Sequence, residues 1–215
     1  MRILVSMRTA IAVFASAFLA ACGGGTSQPA PSQVSRPISN VVAFMGDSIT
    51  QMWDLTQYDP GPTLNFGLDG DTTVGMLGRF QNEVISAAPG VVVILGGIND
   101  LQDYGPASAT IDSIKSMAAQ ANAAGIRVIL CSLMPPTDSR LATLRFSLAD
   151  VQAFNDQLIE LARQNGYLYA DYYDVFLNSD GTVNNSLYLD GVHPNPAGYA
   201  LMWKIVAPLI NEDLT

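Results

Sequence analysis

The sequence has little of the chemistry on which many protein classes depend. Its 215 residues include one histidine and two cysteines, and Lys and Arg together number 10 against 19 Asp and Glu. A net charge of −9 argues against nucleic acid as a partner. One histidine without a cysteine cluster leaves only scattered carboxylates as ligands, so we expect no metal site. Nothing in the composition calls for a cofactor.

The N-terminus indicates a lipoprotein signal peptide over residues 1–22. Arg2 and Arg8 form a basic start, and the apolar stretch at 9–19 is too short for a comfortable membrane span. Leu-Ala-Ala-Cys at 19–22 resembles a bacterial lipobox, which implies diacylglycerol on Cys22 and a membrane anchor. The alternative is an ordinary cleaved signal in which Cys22 is incidental.

A flexible linker is predicted at residues 23–38, which are rich in Gly, Ser, Pro and Gln. Gly23 stands where inner-membrane lipoproteins carry Asp, so we expect an exported protein anchored to the cell envelope, at the outer membrane and facing the periplasm or exterior. Acylation of Cys22 would leave Cys131 as the one thiol, which excludes a disulfide framework. Cys131 lies within an apolar run and is expected to be a buried core residue.

A single domain is predicted over residues 39–215. Apolar runs at 41–45, 91–95 and 127–131 are typical of parallel strands covered on both faces, and 64–66 and 167–170 are further strand candidates. Helical periodicity marks four intervening or following segments, at residues 76–85, 111–121, 148–162 and from 196 on. This order predicts an α/β protein, a three-layer α/β/α sandwich around a central five-stranded parallel sheet.

Polar signatures follow the predicted strands, where ligands bind on such sheets. Gly-Asp-Ser at 46–48 follows the first strand, Gly70 the second and Asn99 the third, while Asp190 and His193 stand near the C-terminus. A serine hydroxyl needs a base to accept its proton, and His193 is the only histidine of the chain. Asp190, three residues earlier, is placed to hold the imidazole.

These four blocks, in this order over nearly all of residues 40–215, resemble the SGNH/GDSL hydrolases. The resemblance implies a flavodoxin-like fold and a Ser48–His193–Asp190 triad. It also implies an oxyanion hole formed by the backbone N–H groups of Ser48 and Gly70 with the side-chain amide of Asn99. No Gly-x-Ser-x-Gly surrounds Ser48, which argues against an ordinary α/β-hydrolase.

Each site residue also has a structural interpretation. Ser48 could cap a helix, Gly70 could serve a turn, and Asn99 could cap a helix or turn. Three aromatic residues near the motifs either line the acyl or alcohol pocket or serve surface or hinge packing: Trp53, Tyr104 and Tyr188.

The sequence therefore predicts a serine ester hydrolase that forms an acyl-enzyme and acts on a small-molecule, lipid or sugar ester. A carbohydrate O-deacetylase or an O-acyltransferase would use the same triad. A binding lipoprotein that has lost activity is the third hypothesis, although every residue needed for turnover is present.

Overall fold

The computed structural model describes residues 39–58, 61–104 and 107–212, with the side chains of 107–110 left out. The predicted signal peptide, Cys22 and linker lie outside these ranges. Within them the chain forms five strands and seven helices. The strands are β1 (Val42–Gly46), β2 (Thr63–Gly67), β3 (Val91–Leu95), β4 (Arg127–Cys131) and β5 (Leu168–Ala170). The helices are α1 (Ser48–Gln51), α2 (Thr73–Phe80), α3 (Ile98–Asp103), α4 (Ala107–Ala123), α5 (Asp138–Leu141), α6 (Leu148–Asn165) and α7 (Pro196–Ile210).

All four strand pairings are parallel, in the order β2-β1-β3-β4-β5. This confirms the predicted five-stranded sheet and its flavodoxin-like order. From β1 the chain crosses to β2 at one edge of the sheet. From β2 it crosses back over β1 to β3, and the crossovers to β4 and β5 continue in that same direction. Because crossovers are right-handed, α1 lies on the opposite face of the sheet from α2, α4 and α6. The result is the predicted three-layer sandwich.

The strand residues account for much of the core. Each residue of β1 and β3 is buried, as continuous apolar runs between two helical layers require. Helix α6 begins and ends where the sequence indicates: Ser147 forms a reciprocal capping box with Asp150, and Gly166 ends the helix with a φ of 69°. The fold is thus specified locally at both ends of this helix.

The predicted element limits differ slightly from those in the structure. The first strand is one residue further along, and the segment at 76–85 begins earlier, at Thr73, and widens into a π-helical turn at Gln81–Ile85. Pro208 does not end α7, which continues to Ile210, because the proline lies in the last turn and removes a single hydrogen bond there.

The carboxyl ends of β1 and β3 lie side by side, and the chain runs from these two strands toward opposite edges of the sheet. Such a switch point opens a crevice at the strand ends. Ser48 follows β1 and Asn99 follows β3, so the fold brings two predicted site residues to this crevice.

Candidate active site

Ser48 is the first residue of α1, two positions after β1 ends at Gly46. The turn between them is tight: a Cβ on Gly46 would lie 2.5 Å from the Leu95 carbonyl oxygen and 2.0 Å from Thr50 Oγ1, so only glycine fits. Asp47 caps the helix by accepting the Ile49 N–H at 2.9 Å. The Ser48 N–H belongs to the first turn, where helical N–H groups have no partner within the helix.

The structure brings Ser48, His193 and Asp190 into one hydrogen-bonded chain. His193 Nε2 lies 2.9 Å from Ser48 Oγ, and His193 Nδ1 lies 2.8 Å from Asp190 Oδ2. Asp190 Oδ1 also accepts the N–H groups of His193 at 2.9 Å and Val192 at 3.0 Å. One carboxylate therefore shapes the loop backbone and orients the imidazole ring.

The electrostatics of this chain favour an ionised Asp190. Partial burial raises the pKa of this carboxyl, but hydrogen bonds from the His193 backbone and ring and the Val192 backbone outweigh burial and lower the pKa to about 2. An ionised Asp190 accepts a hydrogen bond from the His193 Nδ1–H, which leaves the Nε2 lone pair directed at the Ser48 hydroxyl.

Contacts with the segment after β4 hold the His193 loop in place. The Thr137 N–H donates to the Gly191 carbonyl at 2.9 Å, and the Tyr188 hydroxyl donates to the Pro135 carbonyl. The residues after β4 thus bind the loop that carries Asp190 and His193. Their contribution to the site is positional.

The turn that carries Gly70 lies beside Asn99. The Asp71 N–H donates to the Leu68 carbonyl at 3.1 Å, and Gly70 has a φ of 71°, which favours glycine although a Cβ would meet no atom there. The Asn99 Nδ2 amide donates one hydrogen bond to the Asp71 carbonyl at 2.8 Å. An amide group has two N–H donors, so the second remains for a ligand.

Arg79 organises this region, and the sequence interpretation missed it. Its guanidinium binds the Asp71 carboxylate at 2.8 Å and the carbonyls of Gly46 at 2.9 Å and Phe66 at 2.8 Å. It therefore ties the ends of β1 and β2 to the Gly70 turn. The sequence did contain an indication of this role, because Arg79 is a charged residue directly before the buried Phe80 in an otherwise apolar helical stripe.

Asp47 and Asp100 act as hydrogen-bond acceptors that organise the loops beside the site. The buried Asp100 carboxylate accepts the Thr73 N–H at 2.9 Å and the Thr73 hydroxyl at 2.6 Å, which joins α3 to the start of α2. Asp47 differs in one respect: its Oδ2 is buried and has no hydrogen-bond partner among the described residues. Burial raises the pKa of Asp47 to about 7, although the Ile49 N–H and His193 lower it.

Cys131 is buried, as predicted, and burial raises the pKa of its thiol to about 12. A neutral thiol in the core is not a nucleophile. Across the described ranges, His, Cys, Asp and Glu side chains form no group of three or more that could hold a metal ion.

The aromatic residues near the motifs divide into two groups. Trp53 is buried and stacks on Tyr199 at a ring distance of 5.5 Å, and Tyr188 is buried beside Phe176, so both pack in the interior. Tyr104 is 67% exposed. Away from the Ser48 crevice, a polar cleft of about 400 Å³ lies between α6 and the residues in and after β5, and no predicted site residue lines it.

The sheet order and the serine–histidine–aspartate chain define a class of serine-dependent acylhydrolases. The GDSL-like Lipase/Acylhydrolase family model matches residues 44–201, and the chain belongs to this family of carboxylic ester hydrolases. It is 30% identical over 187 residues to human platelet-activating factor acetylhydrolase IB subunit alpha2, covering 80% of this chain and 77% of that one.

Two further similarities agree with this assignment. Esterase TesA of Pseudomonas aeruginosa is 28% identical over 152 residues, which cover 68% of this chain and 70% of the esterase. The crystal structure of a GDSL-like lipase from Bacteroides thetaiotaomicron superposes with a TM-score of 0.71 at 29% identity, covering 80% of this chain and 87% of that one.

Proposed function

We propose that the protein is a serine ester hydrolase that forms an acyl-enzyme at Ser48. The observation that carries this proposal is the continuous contact from Ser48 Oγ to His193 Nε2 at 2.9 Å and from His193 Nδ1 to Asp190 at 2.8 Å. A serine hydroxyl is a weak nucleophile alone, and this arrangement supplies the base and the group that orients it.

In the proposed reaction, Ser48 Oγ attacks the ester carbonyl while its proton passes to His193 Nε2. The tetrahedral oxyanion then accepts hydrogen bonds from the Ser48 N–H, the Gly70 N–H and the free N–H of the Asn99 amide. Collapse breaks the bond to the alcohol, which leaves with the proton from His193. Water, deprotonated by His193, attacks the acyl-enzyme and releases the acid and free Ser48.

The names of the relatives support ester cleavage: one is an acetylhydrolase subunit and another an esterase. An O-acyltransferase or a carbohydrate O-deacetylase would share every step up to the acyl-enzyme. The deacetylase would then transfer the acyl group to water, whereas the acyltransferase would transfer it to a sugar hydroxyl. An inactive binding lipoprotein is disfavoured because Ser48, His193 and Asp190 form one hydrogen-bonded chain.

Turnover of a water-soluble ester tests this proposal. The protein should hydrolyse p-nitrophenyl acetate, and Ser48→Ala should lower kcat by roughly 10⁴-fold or more. Ser86→Ala removes a hydroxyl that binds a carbonyl in its own helix and serves as the matched control. Added sugar acceptors that raise p-nitrophenol release and become acetylated would indicate transfer. A folded protein with equal rates for Ser48→Ala and the parent would contradict the proposal.

A further inference from the structure

The polar cleft of about 400 Å³ between α6 and the residues in and after β5 has the size of a ligand site. Small-molecule sites typically occupy about 300–1,000 Å³. We call this the α6–β5 cleft: Asp156 and Ile159 line its α6 wall, and Tyr169, Asp171 and Tyr173 line the wall formed by β5 and the residues after it. None of the proposed catalytic residues lines it, so a ligand held there contacts a different surface from the reacting ester.

The α6–β5 cleft lies at the same end of the sheet as Ser48. Tyr169 belongs to β5, and Asp171, Tyr173 and Asp174 follow the carboxyl end of that strand. Ser48 follows the carboxyl end of β1, and β3 and β4 lie between β1 and β5. Because neighbouring strands are about 4.8 Å apart, the two strand ends are separated by about 14 Å. The cleft is therefore a second site at the catalytic end of the sheet.

Hydrogen bonds hold both walls of the cleft in place. Asn155, which lines the cleft from α6, is buried; its side-chain carbonyl accepts the Leu133 N–H at 2.8 Å, and its amide donates to the Leu133 carbonyl at 2.9 Å. On the other wall, the Tyr173 N–H donates to the Asp171 carboxylate and to the Ser132 hydroxyl oxygen, each at 3.0 Å. These bonds order the walls before a ligand arrives, which lowers the entropic cost of binding.

Carboxylates with free acceptor capacity line both walls of the cleft. Those of Asp156 and Asp174 accept no hydrogen bond and form no ion pair within the part of the chain that the structure describes. Burial raises the pKa of Tyr169 above its ordinary value, and the negative charges of Asp171 and Asp156 raise it further. Carboxylates of both walls thus lie near the same ring. The cleft therefore offers hydrogen-bond acceptors beside aromatic surface.

The lining of the cleft disfavours several classes of ligand. It contains no Lys or Arg, so its carboxylates would repel an anion. Ile159 is its one aliphatic side chain, which is too little apolar surface for an alkyl chain. No group of three or more His, Cys, Asp or Glu in the described ranges could hold a metal ion. The carboxylates are exposed, so water and salt screen their attraction for an organic cation. A ligand rich in hydroxyl groups fits best.

We propose that the α6–β5 cleft binds carbohydrate. A sugar ring presents hydroxyl groups around its edge, and these donate to carboxylates in charge-assisted hydrogen bonds. The faces of the ring consist of C–H groups, which pack on aromatic rings such as those of Tyr169 and Tyr173. Both tyrosines are only partly buried, so part of each residue is accessible. Carbohydrate binding here does not require turnover at Ser48, so it can be tested separately from the proposed function.

Calorimetric titration of the full-length protein with xylohexaose, cellohexaose and N-acetylchitohexaose tests this proposal. At least one of these sugars should bind with a Kd of about 1 mM or lower. In the double variant Asp156→Ala, Asp174→Ala the affinity for that sugar should fall by roughly tenfold or more, because two charged acceptors are lost. Tyr173→Leu should lower the affinity by about three- to tenfold, because leucine keeps the apolar bulk and removes the aromatic face.

Asp112→Ala is the matched control, because Asp112 is exposed on α4 outside the cleft, and it should keep the parental affinity. Asp156 and Asp174 are exposed too, so the double variant should unfold at the parental urea concentration. Saturable binding of none of the three sugars, or parental affinity in both cleft variants, would overturn the proposal. Spermidine that bound more tightly than every sugar, and was released at about 0.5 M salt, would indicate a cation site instead. None of these results would affect the proposed ester hydrolysis.

Discussion

At the scale of single residues, Asp47 is a buried group whose ionisation affects folding. Its carboxyl is buried next to Ser48, and its pKa rises to about 7 from an ordinary value of 3.8. Between those two pH values the folded protein holds a proton that the unfolded chain has released. This side chain therefore favours the folded state fully below about pH 4, and that stabilisation is lost as the pH rises through 7.

We predict that Asp47→Asn removes this pH dependence. Asparagine caps a helix as well as aspartate, so the hydrogen bond to the Ile49 N–H is kept while the charge is lost. A tenfold change in proton affinity corresponds to about 1.4 kcal/mol, so the parent should lose at most roughly 4 kcal/mol of unfolding free energy between pH 4 and 8 through this group. Urea unfolding at several pH values measures the difference between the two proteins.

Asp54→Asn is the matched control for this measurement. Asp54 is exposed, and hydrogen bonds from the Thr56 and Gln57 side chains lower its pKa, so its effect has the opposite sign. Parallel stability curves for Asp47→Asn and the parent over pH 4–8 would show that Asp47 ionises normally in the folded protein.

At the scale of elements, the Gly70 turn is held by Arg79 of α2. The Arg79 guanidinium binds the Asp71 carboxylate, and the Asp71 carbonyl in turn accepts the Asn99 amide. The Arg79 and Asp71 side chains are only 18% and 9% exposed. Loss of the guanidinium would therefore leave a largely buried carboxylate without its ion pair.

We predict that Arg79→Gln lowers the free energy of unfolding by about 3 kcal/mol and lowers kcat by roughly 10- to 100-fold, since the Asn99 amide would no longer be held in place. The KM should change less than kcat, because the Asn99 amide that Arg79 helps to hold is expected to bind the oxyanion of the transition state. Urea unfolding and steady-state kinetics on one soluble ester measure both effects.

Arg163→Gln provides the comparison, because Arg163 pairs with Glu160 in an exposed position on α6. Such a solvent-exposed pair contributes little to stability, because water and salt screen the attraction. If Arg79→Gln behaved like Arg163→Gln in both stability and kcat, the support that Arg79 gives to the site would be refuted.

Sequence pattern predicted the elements whose signals are local. The apolar runs of β3 and β4 have the predicted limits, and α6 has its cap at Ser147 and its stop at Gly166. The short helices α3 and α5 were missed, since four to six residues carry no periodicity. The partners of Arg79 were equally invisible, because Gly46 and Phe66 come close to it only after β1 and β2 pair.

At the scale of the whole molecule, membrane attachment is the open prediction, because Cys22 lies outside the described residues. No helix in the described ranges is long and apolar enough to cross a membrane. We propose that the chain is acylated at Cys22 and anchored in the cell envelope. Two acyl chains suffice for stable anchoring.

Metabolic labelling with an alkyne fatty acid tests this proposal. The parent should be labelled and should sediment with membranes, whereas Cys22→Ala should lose the label. Cys131→Ala keeps the predicted lipobox cysteine and removes only a buried thiol, so it should be labelled like the parent. Label on Cys22→Ala, or none on any of the three proteins, would contradict lipid attachment at this residue.

The central claim is that Ser48 is a nucleophile activated by His193, and covalent labelling tests it most directly. A fluorophosphonate incubated with the folded protein should form one adduct, which peptide mass spectrometry locates on Ser48. Ser48→Ala should carry no adduct, and His193→Ala should react far more slowly because the base is missing. A folded parent protein without an adduct, or with its adduct on another residue, would contradict the account.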